Sequence, residues 1–237
     1  MTDTLTSRFP TRIHRLDVAG GTIDLLAPTD PDALLDDPIV EARYKADNYL
    51  PYWPIIWPSG LMLAEKILTA QSSPPVLPLC ASVPQCLSAF PRCIDLGCGL
   101  GITGIAAAQR GWHVTFTDYD PEAVEFARHN ALRNGIPAER IRALHMDWRA
   151  PIAETFPWVL ASDVLYERRL HDLLLPAIRA LLAPAGQAWV SDPQRTAAED
   201  FPLKALEHGF RVQTQNLLGQ SFSGSTQQGT LYILTRA

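Results

Sequence analysis

Beyond residue 91 the chain alternates between two hydrophobic periods. Short apolar blocks bounded by glycine, proline or acid predict a buried strand in RCIDLGCGLG and further strands over 113–117, 141–144, 158–163, 187–191, 210–214 and 230–235. Between them, apolar positions recurring every three to four residues predict helices over 102–110, from Pro121 to Asn134, over 168–182 and over 201–207. Pro121 suits a first helical position, where no backbone N–H is needed. Strands alternating with helices specify an α/β fold, a mostly parallel sheet covered by helices on both faces. The Gln-, Ser- and Gly-rich span 216–229 reads as the hairpin connection between the last two strands.

The first ninety residues are less regular. Residues 23–26 read as a short strand, and turn signals run from Pro28 to Pro38. In PYWPIIWPSGLMLAEKIL (51–68), prolines hold the first half extended or turned. From Ser59 the pattern becomes helical, with Leu61, Leu63, Ala64, Ile67 and Leu68 on one face and Ser59 or the preceding proline near its start. Five prolines between 71 and 92 break regular structure, so this apolar segment is expected to be an irregular surface insertion. The division expected is an N-terminal elaboration, 1–91, packed on a core, 92–237, as one structural domain.

Composition narrows the class. With 237 residues, 47% of them hydrophobic and 19% charged, the chain can bury a full core without metal or disulfide staples. A net charge of −5 argues against a strongly basic nucleic-acid binder. Cys80, Cys86, Cys93 and Cys98 form no CxxC pair, and no histidine stands at ligand spacing from a cysteine, so no metal is expected. His171 and His208 read as surface or capping residues, and Arg140/Arg142 and Arg168/Arg169 as solvated charge. MTDTLTSRFP lacks a signal-peptide pattern and no run reaches 18 apolar residues, so a cytoplasmic, thiol-reduced protein without a membrane span is expected.

The chemistry concentrates at Asp95-Leu-Gly97-Cys-Gly99-Leu-Gly101. Closely spaced glycines let the strand turn tightly into a helix and leave room for a ligand. Asp118, 21 residues beyond Gly97, ends the next strand, where a carboxylate can accept both hydroxyls of a ribose. Gly99-Leu-Gly101-Ile-Thr-Gly104 formally matches the dinucleotide fingerprint GxGxxG, and the same stretch also matches an acid followed by GxGxG. An acid at Asp95 would put negative charge near a pyrophosphate, so it suits a cationic ligand better: a sulfonium or an amino acid's amine.

The run IDLGCGLGITGIAAAQRGWHVTFTDYDPEAVEFARHNALRNG resembles the cofactor-binding half of class I S-adenosylmethionine-dependent methyltransferases. The resemblance implies a Rossmann-like, seven-stranded sheet with an antiparallel last strand, and S-adenosyl-L-methionine as cofactor. It implies that Asp95, Gly97 and Gly99 line the methionine side, that Asp118 holds the ribose and that Asp147 and Trp148 flank the adenine. Tyr119, next to the ribose acid, is expected to border the nucleoside pocket.

A further acid, Asp163, follows the fourth strand of this core, with Tyr166 three residues on. Ligands of open α/β sheets gather at such strand ends, so this pair could offer an amine an anion and an aromatic face. The bland alternative makes Asp163 a helix cap and Tyr166 a packing residue. Asp163-Val-Leu-Tyr166 has the spacing of the Asp/Asn-Pro-Pro-Tyr motif of adenine and glutamine-amide methyltransferases but lacks both prolines. Together with PYWPIIWPSG, it resembles the protein-lysine methyltransferases that include the electron-transfer-flavoprotein beta-subunit enzymes. That resemblance implies Trp57 beside the cofactor, Asp163 and Tyr166 as catalytic residues and a protein lysine as acceptor. A small-molecule amine or nitrogen heterocycle is the alternative acceptor, and a non-catalytic interaction protein retaining the sheet is the third reading. A protein acceptor predicts an open groove edged by 41–58 and the loop near 192–200; a small one predicts a closed pocket over Asp163.

Overall fold

A computed structural model describes residues 9–70, 91–220 and 224–237. The proline-rich insertion expected over 71–92 lies almost wholly outside the described residues. The chain opens with a hairpin of β1 (Thr11–Val18) and β2 (Gly21–Pro28), followed by α1 (Pro38–Asp47) and α2 (Pro58–Thr69). The core then runs β3 (Arg92–Leu96), α3 (Ile102–Gln109), β4 (His113–Asp118), α4 (Pro121–Arg133), β5 (Ile141–His145), β6 (Phe156–Ser162), α5 (Arg168–Leu181), β7 (Leu182–Asp192), α6 (Phe201–Glu207), β8 (Phe210–Gln220) and β9 (Thr226–Arg236).

Strands β3 to β9 form a seven-stranded sheet in the order β5-β4-β3-β6-β7-β9-β8. β3 to β7 pair in parallel, and the last strand, β9, lies antiparallel between β7 and β8. This is the α/β, mostly parallel sheet with an antiparallel last strand that the sequence led us to expect.

Side-chain alternation splits the core in two. Cys93, Trp158, Leu160, Leu231 and Ile233 face one layer with Leu63 and Ile67 of α2, Ile105 of α3 and Phe126 of α4. Their neighbours Ile94, Val159, Ala161, Tyr232 and Leu234 face the other, with Leu174, Ile178 and Leu181 of α5 and Phe201 of α6. A period of two along buried strands produces this sorting, and each face then needs a helical cover.

Several elements differ from the sequence reading. β1 and α1 lie where no regular element was expected. β1 alternates buried Leu16 and Val18 with exposed polar residues only at its end, which weakens its signal. In α1 only Val40 is buried, so no apolar stripe marks it; the helix rests on its cap, with Asp37 accepting from the Ile39 N–H at 2.8 Å. β8 and β9 extend to Gln220 and from Thr226, well into the span read as a connection. Their outer registers, Leu217↔Gly229 to Gln220↔Thr226, pair residues of low strand propensity, because an aligned partner supplies the ladder. His171 is fully buried, not superficial: its Nε2 lies 3.3 Å from the Leu165 carbonyl and its ring meets Phe201 edgewise.

The hairpin is joined to the core by two asparagines of the α4 region. Asn130, fully buried, accepts from the Leu26 N–H at 2.7 Å and donates to the carbonyls of Leu26 and Leu100 at 3.1 and 3.0 Å. Asn134 accepts from Asp24 N at 2.9 Å and donates back to its carbonyl at 2.7 Å. The amide side chains supply β2 with a substitute for a neighbouring strand.

Candidate active site

β3 and β6 are neighbours, yet the chain leaves β3 toward β4 on one side and β6 toward β7 on the other. Such a switch point leaves a crevice beyond the strand ends. A cavity of about 230 Å³ opens there. A single water needs only about 10–15 Å³ of such space, so this is room for a ligand of many atoms.

Its floor is the glycine turn. Gly97, Gly99 and Gly101 have φ of 66°, 51° and 88°, the left-handed region that glycine enters without steric cost. Room for a ligand is only part of the reason for glycine here. A Cβ at Gly97 would stand 3.1 Å from Val164 Cγ1, one at Gly99 would stand 3.2 Å from the Trp53 carbonyl, and one at Gly104 would enter the Phe116 ring at 2.2 Å. The turn therefore also lets α3 sit against β4 and brings the 51–57 segment down onto the floor.

Asp118 lines the cavity at the end of β4. Its Oδ2 accepts from Gly99 N at 2.9 Å and its Oδ1 from Asp120 N at 3.0 Å, which leaves each oxygen with accepting capacity. Burial pushes its pKa up to about 6, with those N–H groups pulling the other way. Asp95 is not on the cavity wall. It is buried beneath the turn, where Oδ2 accepts from Gly104 N at 2.9 Å and Oδ1 has no partner. Burial raises it to about 7. Cys98 is also buried, with its thiol pushed up by burial, as befits a space filler.

One end of the cavity is closed by a polar cluster. The Tyr119 hydroxyl donates to Asp47 Oδ2 at 2.7 Å, and Arg149 stands 3.7 Å from the same oxygen. Arg149 Nε also donates to Asp147 Oδ2 at 2.8 Å and holds the Asp147 carboxyl below its ordinary range. Trp148 lines the wall beside Gly97. The Asp47–Asn48 backbone is held from the other side by Arg169, at 3.0 and 3.3 Å, so Arg169 is a structural tie and not merely solvated charge. Tyr49 donates to Asp120 at 2.6 Å and meets Tyr119 edge to face.

The opposite wall carries the residues that follow β6. Tyr166 packs edgewise on Tyr52, ring centroids 5.3 Å apart, and its phenol is pushed upward chiefly by burial. Trp57 donates from Nε1 to the Tyr52 carbonyl at 3.0 Å. Asp163 lines the cavity but does not cap α5, whose N-cap is Glu167. It adopts φ of 57°, a costly conformation for a non-glycine residue that the surroundings must hold. Asp163 Oδ2 accepts from the Ser59 hydroxyl at 2.8 Å, while Oδ1 takes a two-pronged contact from Arg195, Nε at 2.9 Å. Neither partner was singled out from the sequence. Ser59 stood out only as a helix start, and Arg195 lies on a loop without periodicity.

Thus Trp57, Gly97, Gly99, Asp118, Tyr119, Asp147, Trp148, Asp163 and Tyr166 share one cavity, and Asp95 lies beneath it. The cavity also gathers Tyr52 and Trp53 of the PYWPIIWPSG stretch, and Asp47, Tyr49, Arg149 and Arg169, which the sequence did not single out as site residues. Among the described residues no group of three or more His, Cys, Asp or Glu side chains could hold a metal, and no helix is long and apolar enough to cross a membrane.

The sheet order and the glycine turn define the class I S-adenosylmethionine-dependent methyltransferase fold. A TehB-like S-adenosylmethionine-dependent methyltransferase from Corynebacterium glutamicum shares that fold at a TM-score of 0.52 and 16% identity, over 88% of this chain and all of that one. Residues 53–208 match the lysine methyltransferase family, and the chain belongs to it. The electron transfer flavoprotein beta subunit lysine methyltransferase of Xenopus laevis is 31% identical over 182 residues, 75% of this chain and 64% of that protein. EEF1A lysine methyltransferase 3 of Mus musculus is 32% identical over 127 residues, 52% and 54% of the two chains. The matched regions thus span less than two thirds of these relatives' lengths.

The residues present fit S-adenosyl-L-methionine, the cofactor of this fold. A glycine-floored cavity, an Asp118 carboxylate with accepting capacity left over and an aromatic flank at Trp148 suit a nucleoside.

Proposed function

We propose that the protein transfers a methyl group from S-adenosyl-L-methionine to the side-chain nitrogen of a lysine in a protein. The carrying observation is the wall formed by Trp57, Asp163 and Tyr166 at the end of β6, which meets the glycine-floored cavity and combines a carboxylate with aromatic faces. The relatives named for lysine methylation support the acceptor class, and the electron-transfer flavoprotein beta subunit is the first candidate to test.

When bound, the cofactor supplies a methyl group already activated by a sulfonium leaving group. The protein's task is then alignment and exclusion of water. In this reading Asp118 receives the ribose hydroxyls, Tyr119, Asp147 and Trp148 border the adenine side, and Gly97 and Gly99 admit the methionine side. Asp95 acts from below: its hold on Gly104 N fixes the start of α3 and the shape of the turn. Trp57 and Tyr166 narrow the approach of the acceptor. Asp163 attracts its ammonium, while burial of the site favours the neutral amine that must form before attack. Water carries the proton away, since a carboxylate by itself favours the charged form.

Labelled methyl transfer into a cytosolic extract, followed by mass spectrometry of modified peptides, tests this. Label on lysine side chains is the expected result; label confined to a small metabolite rejects a protein acceptor. A small amine is the second reading, and the closure of Asp163 beneath Arg195 favours it.

A further inference from the structure

Arg195 lies on the loop between β7 and α6, and three groups converge on its guanidinium. Nε and Nη2 both reach Asp163 Oδ1, the guanidinium carbon stands 5.2 Å from the Trp57 ring centroid, and Nε is 4.0 Å from Asp192 Oδ2. Asp163 and Trp57 line the cavity, whereas Arg195 does not. These two residues therefore form a partition, and Arg195 covers it from outside. The Arg195 side chain is 31% exposed, while Asp163 is 3% and Asp192 0% exposed. Of the three, only the arginine can swing toward water.

A carboxylate set against an aromatic face is the recognition chemistry of an alkylated cation. We propose that Arg195 occupies the seat of the acceptor's ammonium, and that a cationic acceptor side chain enters by displacing it from between Asp163 and Trp57. This inference rests on the amine-methylation reading above. The seat itself is fixed. Asp163 is held by the Ser59 hydroxyl and by its own N–H bond to the Ser191 carbonyl at 3.0 Å, and Trp57 by its bond to Tyr52. The displaced guanidinium has somewhere to go. Asp192 Oδ2 is buried without a hydrogen-bond partner, and Asp192 Oδ1 already accepts from the Arg195 backbone N–H at 2.7 Å. Arg195 already stands within ion-pair distance of Asp192, so its displacement from Asp163 by another cation leaves each carboxylate a positive partner, whereas an unpaired buried charge would not be tolerated.

The device selects the acceptor's charge and reach. A neutral acceptor gains nothing by competing with a guanidinium for Asp163. A cation on a long apolar stem can replace it, its nitrogen then seated between Asp163 and Trp57, the two residues that also line the cavity. The closed pocket over Asp163 is then compatible with a protein acceptor.

The test uses Arg195→Ala and Arg195→Gln beside the wild-type chain, with S-adenosylhomocysteine binding recorded first by calorimetry. n-Butylammonium is then titrated as a probe of the seat. Both variants are expected to bind it at least about tenfold more tightly than the wild type, with no such gain for neutral n-butanol. Adding Trp57→Leu to Arg195→Gln removes the gain. Equal affinity for n-butylammonium in wild type and in either folded variant, with S-adenosylhomocysteine bound in each, overturns the proposal. Failure of the wild type to bind S-adenosylhomocysteine removes the underlying methyl-transfer reading and this inference with it.

Discussion

At the scale of single residues, the site gathers carboxylates whose neighbours differ more than their chemistry does. Asp118 accepts two backbone N–H groups and keeps capacity for a ligand. Asp163 has both oxygens engaged by side chains. Asp95 sits below the floor and spends its one bond on the backbone of α3. The ribose assignment predicts that Asp118→Asn, which removes the charge but keeps the shape, loses about 1.5–3 kcal/mol of donor affinity, the range for hydrogen bonds to charged groups. Calorimetry with S-adenosylhomocysteine measures this, and an unchanged Kd would take Asp118 out of the ribose site. Asp95 and Asp118 were legible in the sequence because one precedes the glycine turn and the other ends the next apolar strand, 21 residues beyond Gly97. Ser59, Asp192 and Arg195 were not, since their roles depend on contacts such as Ser59–Asp163, 104 positions apart.

At the scale of elements, the N-terminal hairpin shows how a piece without its own core is kept in place. β1 and β2 form a two-stranded sheet, and such a ribbon is marginal alone in water. Leu16, Val18, Ile23 and Leu25 join the core layer that holds Phe126, and Asn130 ties the Leu26 backbone to Leu100 at the glycine turn. Asn130→Ala would leave three buried backbone groups without partners. A loss of about 3 kcal/mol or more is expected in urea denaturation, since each such group costs about 1–3 kcal/mol. Amide exchange should quicken first in β2. A loss under about 0.5 kcal/mol, the size of an ordinary surface substitution, would show that packing alone holds the hairpin. The parallel strands and their helices were readable from periodicity. α1 was not, because it buries one residue and its second half is fixed by tertiary bonds: Arg43 and, just beyond the helix, Tyr49 to Asp120, and Asp47 to Tyr119.

At the scale of the whole molecule, the strand ends concentrate buried acid. Burial raises Asp95 to about 7 and Asp118 and Asp192 to about 6. Unfolded, each would titrate near about 4, so between about pH 4 and pH 7 the folded chain holds more protons than the unfolded one. The contribution of these groups is therefore fully present at low pH and is lost as pH rises through 6 and 7. Asp24, Asp147 and Glu154 act in the opposite sense: lowered by arginine partners, they contribute above about pH 4 and lose that contribution below it. The urea midpoint of the ligand-free chain is expected to fall between pH 5 and pH 8, and Asp95→Asn to flatten that slope. A midpoint that rises over this range in the wild type would contradict the buried-acid account.

The sequence by itself determined the sheet's rhythm, the glycine turn and the acids that end β3, β4 and β6, because these follow from local periodicity and from the conformational freedom of glycine. Tertiary structure alone decided which acids face the cavity. Asp95 and Asp118 carry the same side chain at the ends of adjacent strands, yet one lies under the turn and the other lines the cavity. It also decided what closes the cavity, for Asp47, Arg149, Arg169 and Arg195 were not legible as site residues. The reason is physical: a strand or turn is specified by its own few residues, whereas the partners of a buried charge are chosen by whatever the folded chain brings within hydrogen-bonding distance.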